Sequence, residues 1–128
     1  MENDSPRPLE QMRSTSGFDL ERALVRFGGD RELFEEMVEV YFTETMRLVG
    51  QVRQAAADND LPTVERAAHS IKGTIGYFGV EAVVEAARRV EQAARARDPR
   101  SALAESERLE DQMAALGRAL TPFRRKAR

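Results

Sequence analysis

The chain of 128 residues holds one histidine, His69, and the residues a turn or two along from it could equip an imidazole for chemistry. Glu65, Lys72, Gly73 and Gly76 stand at i−4, i+3, i+4 and i+7, so on a helix at about 100° per residue they share its stripe. A neutral imidazole with an ordinary pKa of about 6.5 is a competent nucleophile near neutrality and needs no activating base. Lys72 brings positive charge beside an anionic phosphoryl group, which would stabilise both its transfer and a phosphohistidine product. An acid on the second ring nitrogen would fix the tautomer and oppose the charge that develops on the ring. Glycine inside a helix costs about 1 kcal/mol against alanine, so two of them near His69 need a reason. At position 73 a bulky side chain would crowd the imidazole, whereas glycine leaves it open to a large, flat protein surface. Close helix crossing is the competing reason, above all for Gly76.

The elements that must carry these residues follow from apolar spacing. Leu61, Val64, Ala68, Ile71, Ile75 and Phe78 recur in steps of three and four and define a buried seam from which His69 is rotated away, toward solvent. This helix starts at the cap Asn59 or Asp60, accepts Pro62 in its first turn and runs to about Phe78. Before it, FDLERALVRF makes a short helix that stops at Gly28-Gly29. Asp30 then caps a long one over roughly residues 31–57, with Leu33, Phe34, Met37, Val38, Tyr41, Phe42, Thr45, Leu48, Val49 and Val52 at helical spacing. After Gly79, Val80, Val83, Val84, Ala87, Val90 and Ala94 mark a helix ending near Arg97. Asp98-Pro99 opens the last, in which Leu103, Ser106, Leu109, Met113, Leu116 and Leu120 lead to a stop before Pro122. Met37, Met46 and Met113 lie in apolar stripes and read as core, as do Tyr77 and Phe78 at their helix end.

These spans predict an all-α fold, an antiparallel up-down-up-down four-helix bundle with a short extra N-terminal helix over residues 17–120. Residues 1–16 are expected to be a disordered leading segment and 121–128 a solvated basic tail. Hydrophobic residues at 41% and aromatics at only 6% fit helices around one core. Without cysteine there is no disulfide framework and no thiolate metal site, so the cytoplasm is the expected compartment. No apolar run approaches the roughly 20 residues that span a bilayer. Residues 18–60 hold ten acids against five bases and the last twelve residues five bases and no acid, a distribution unlike a broad nucleic-acid-binding face.

The run AHSIKGTIGYFG, residues 68–79, resembles the signature of histidine-containing phosphotransfer (HPt) domains, with His69, Lys72, Gly73 and Gly79 at i, i+3, i+4 and i+10. ALVRFGGDRELFEEMVEVYF looks like that family's first two helices around a Gly-Asp turn, and DNDLPTVERAAHSIKG like its loop into the phosphorylated helix. The likeness covers roughly residues 18–117. It implies a two-component phosphorelay protein in which His69 exchanges a phosphoryl group with receiver-domain aspartates, Lys72 stabilises its charge and Gly73 gives steric access. Some members hold the histidine with a polar residue of the following helix. By distance that position falls on Glu91, where glutamine is often found; Gln92 beside it should point about 100° away.

No Gly-rich nucleotide loop or Mg²⁺-holding acid cluster is visible, so neither ATP binding nor autokinase activity is expected, and no cofactor; Mg²⁺ would come from the receiver. The expected partners are response-regulator receivers, a hybrid sensor histidine kinase, or both, with no nucleic acid or membrane, for a free-standing monomer. Two other readings stay open. One is a helical adaptor that binds receivers or other signalling proteins without being phosphorylated; the other is a haem or metal bundle with His69 as a ligand, which would need further ligands inside the core.

Overall fold

A computed structural model describes residues 17–125; the leading segment 1–16 and the last three residues lie outside the described residues. Helix α1 is Leu20–Arg26. Helix α2 comprises Arg31–Val40, a π turn at Tyr41–Thr45 and Met46–Ala57. Helix α3 is Leu61–Ile75, tightening into a 3₁₀ turn at Gly76–Phe78. Helix α4 is Glu81–Arg95, and α5 is Pro99–Leu120 with a 3₁₀ turn at Thr121–Phe123. There is no strand among the described residues. Each long helix packs on its neighbour in the chain and α5 closes the bundle against α2, the expected architecture.

Three turns share one construction. Asp30, Asp60 and Asp98 cap α2, α3 and α5, accepting from the amides of Leu33, Thr63 and Ser101 at 3.0, 3.3 and 3.1 Å. In front of each cap the preceding helix ends on a left-handed residue: Gly29 (φ 78°), Asn59 (φ 61°) and Arg97 (φ 60°). The capping aspartate's own amide then closes the last two turns, with Asp60 N–H donating to Ala55 O at 2.8 Å and Asp98 N–H to Ala93 O at 3.1 Å. At Gly79 (φ 73°) the same freedom ends the 3₁₀ turn, and a Cβ there would stand 3.0 Å from Arg26 Nε.

Two kinds of packing fill the core. All six phenylalanines and both tyrosines form one connected set of ring contacts, centred on Phe34 and Phe78. It joins Phe18 before α1 and Phe123 after α5 to α2 and the end of α3. The α3–α4–α5 contacts instead use small residues, among them Ala68, Ala86, Ala87, Ala94 and Ala102, which let helices approach closely. At the π turn the Tyr41 hydroxyl donates to Met113 O across the core, and Gly117 clears the space, since a Cβ there would lie 3.2 Å from that oxygen. Burial pushes the Tyr41 phenol well above its ordinary range.

Some expectations are corrected. Leu33, Tyr77 and Leu103 are exposed at 41%, 53% and 39%, because each stands one position beside a fully or almost fully buried residue, Phe34, Phe78 and Ala102. A one-residue step swings a side chain about 100° off the seam. Met113 is buried, whereas Met37 and Met46 are only partly so. Helix α4 ends at Arg95, two residues early, where the turn into Asp98 begins. The start of the basic tail touches the bundle while its two arginines stay exposed. Phe123 packs on Phe34, Arg124 stands over the Phe42 ring at 4.2 Å, and the Arg125 amide donates to Glu39 Oε2 at 2.9 Å.

Arg97 is a bulky residue in a conformation that costs an L-residue about 1–2 kcal/mol and glycine almost nothing. Arg97→Gly should therefore stabilise the bundle by about 0.5–1 kcal/mol after the added unfolded-state entropy. Urea unfolding monitored by circular dichroism checks this; an unchanged or lower midpoint refutes it.

Candidate functional site

The site lies where the middle of α3 faces the second half of α4. His69 leaves the buried face of α3, and its side chain is 68% exposed. Opposite it Glu91 projects from α4 between Ala87 and Ala94, at a position its own helix otherwise fills with apolar residues, and is 3% exposed. Its Oε2 lies 2.9 Å from His69 Nδ1, and its Oε1 accepts from Lys72 Nζ at 2.7 Å. A third donor, Arg95 Nη2, reaches the same Oε2 at 2.9 Å, while Arg95 Nε donates to Glu65 Oε2 at 3.0 Å. Five side chains thus form one network across two helices.

Burial pushes the Glu91 carboxyl up, but the hydrogen bonds and positive charge of Lys72 and His69 together outweigh it, leaving it below its ordinary value. An ionised carboxylate only accepts, so the shared proton sits on His69 Nδ1. In the neutral ring the lone pair then belongs to Nε2, on the edge away from Glu91. The arrangement can present a neutral, oriented nucleophile with a cation one turn away.

The glycines of this face answer a question the spacing left open. A Cβ at Gly73 or Gly76 would meet nothing within 4 Å, and neither residue has positive φ. Close helix crossing is therefore not what these positions serve; Gly76 belongs instead to an open depression with Arg26 and the start of α4. Lys72 pairs with Glu91, and Glu65, on the His69 stripe, pairs with Arg95. Gln92 is exposed and outside the network, as its 100° offset requires. Arg95 was not read from the sequence. Its signal was there: a glutamate at a seam position needs cations, and an arginine at i+4 on the same helix is the nearest supply.

Residues 36–119, most of the chain, match the model of the Hpt domain family. The chain belongs to that family, whose members are phosphotransfer modules of two-component relays, carriers rather than kinases, that interact with receiver domains and kinases. The match takes in α3, α4, nearly all of α5 and α2 from Glu36 onward, but not α1 or the turn at Asp30. No curated protein and no solved structure matches the chain significantly. Among the described residues no helix is long and apolar enough to cross a membrane.

Two outcomes follow. Gly73→Ala, in an open mid-helix position, should raise stability by about 0.5–1 kcal/mol, read as a higher urea midpoint; a loss would mean that the backbone there needs glycine. Glu91 has a lowered folded-state pKa, so its contribution is present above its ordinary 4.5 and lost as pH falls through the lower folded value. The urea midpoints of wild type and Glu91→Gln should therefore differ near neutrality and converge in acid below about pH 4.5. A constant gap from pH 7 to 3 would show that the carboxylate's charge is not what matters.

Proposed function

We propose that this protein carries a phosphoryl group on Nε2 of His69 between receiver-domain aspartates. The observation that carries the reading is a ring 68% exposed yet pinned at Nδ1 by a buried carboxylate, which leaves Nε2 alone to bond outward. In the forward step the Nε2 lone pair forms the N–P bond while the P–O bond of an aspartyl phosphate breaks, its electron pair leaving on the aspartate. The Nδ1 proton stays against Glu91, whose charge opposes the positive charge the ring acquires. Return to a second aspartate reverses each bond change. Lys72, paired with Glu91 and 27% exposed, supplies positive charge near the transferred group. Gly73 leaves the approach open to the flat partner surface.

In this reading the chain neither binds ATP nor phosphorylates itself, holds no cofactor, and relies on the receiver for Mg²⁺. Its partners are response-regulator receivers, a hybrid sensor kinase, or both, met as a monomer in the cytoplasm through a modest, transient interface. Neither nucleic acid nor membrane takes part.

Incubation with a phosphorylated receiver and Mg²⁺ tests this. Wild type should gain an acid-labile, alkali-stable phosphoryl group and His69→Gln none; Gly73→Leu should stay folded and lose about tenfold or more in transfer rate. Label on His69→Gln, or no label on wild type from any receiver of the source cell, sinks the proposal, and binding without label would mark an adaptor.

A further inference from the structure

A buried carboxylate beside a histidine ordinarily favours the charged ring, because an opposite charge within a few ångströms raises an imidazole pKa. For a nucleophilic imidazole that is self-defeating, since the imidazolium has no lone pair to give. The arrangement around Glu91 bears on this conflict. Lys72 occupies Oε1, the oxygen the ring does not use, whereas Arg95 shares Oε2 with the ring itself.

We propose that Arg95 is a positioning residue for His69, one that offsets the charge on the ring's own hydrogen-bond acceptor and so keeps the imidazole unprotonated and aimed. Both donors lie 2.9 Å from one oxygen, which puts the guanidinium within about 6 Å of the ring nitrogen, close enough to oppose its protonation. Arg95 is held there from the other helix, as its Nε bonds Glu65 Oε2 on α3 while Nη2 bonds Glu91 on its own α4. A planar fork with several donors serves two carboxylates at once, which a single ammonium does less well.

The charged groups around the ring are Glu65, Arg66 and Lys72 from α3 and Glu91 and Arg95 from α4. From α2 the residues beside Arg66 and Ser70 are Leu48 and Gln51, which carry no charge. Arg88, one turn before Glu91, is paired with Glu85. With a neutral ring the two acids and the two cations bonded to them cancel, and Arg66 adds a further positive charge. A proton on His69 takes this local charge from +1 to +2, whereas without Arg95 it would take it only from 0 to +1, so the guanidinium makes protonation harder.

The functional weight of this inference rests on His69 as phosphoacceptor; its electrostatic content does not, and the test separates the two. His69 is the chain's only histidine, so its ring proton resonances are unambiguous in an NMR titration. Arg95→Gln, at a side chain 61% exposed, should leave circular dichroism unchanged and move the midpoint of the ring-proton titration to higher pH, with solvent screening limiting the size. Arg95→Lys should move it less than Arg95→Gln, because the charge remains although the fork is lost. Phosphoryl acceptance by Arg95→Gln should fall about two- to fourfold near the ring's pKa and recover as pH rises. A His69 titration unchanged in Arg95→Gln, or raised as much in Arg95→Lys, overturns the proposal. Failure of wild type to accept phosphate would instead overturn the carrier reading and leave the titration interpretable.

Discussion

Taking the Glu91 carboxylate out of water is the constraint around which the central part of this bundle is arranged. An ion of that kind left alone in a protein interior costs several kcal/mol, and the attraction of partners repays this only when geometry is good and the oxygens are satisfied. Here both oxygens are, by donors from two helices. His69 and Lys72 are one turn apart on α3, and both can meet a single carboxylate only if α3 and α4 keep one register and lie close together. The alanines along their contact allow that approach. Site and fold are therefore not separable at this point: the helix pair that presents the imidazole is itself held by the group that orients it.

The rest of the chain divides by packing style. The family match covers the four-helix core from Glu36 and stops one residue short of the end of α5. Outside it, the residues flanking α1 and the 3₁₀ turn at Thr121–Phe123 contribute Phe18, Phe27 and Phe123 to the aromatic set around Phe34 and Phe78. Large rings with many neighbours suit this end, where short elements must be tied down by few residues. Small side chains suit the interface that sets the site, where closeness between helices counts for more than the area one residue buries.

Much of this was legible in the sequence because the signals were local. The aspartate caps, Pro62 and Pro99 in first turns and the seam of α3 each encode an element within a few residues, and the outward turn of His69 follows from the same periodicity. What escaped depends on partners distant in the chain. The π turn at Tyr41–Thr45 has no composition of its own; it sits where a tyrosine reaches across to α5 and Gly117 yields to it. Docking of Phe123 to Arg125 needed the acidic and aromatic face of α2 to be in place. Glu91 was reached by its distance from the histidine motif, yet its position in an apolar seam marked it independently as a buried charge in need of cations. Arg95 was legible only once that charge was taken seriously.

The two tyrosines are as unlike as the fold allows, and the chain has no tryptophan to mask them. Tyr41 is sealed, with its hydroxyl bonded to the main chain of α5; Tyr77 stands half in solvent two turns along from His69, its ring 6.0 Å from that of Phe27. Tyr77 follows Gly73 and Gly76 at the end of α3 and is open to whatever approaches there, whereas Tyr41 is out of reach of any partner. The molecule thus has a native optical probe at the border of its open face and an internal reference in its core, and tyrosine emission offers a label-free view of whatever comes to rest there.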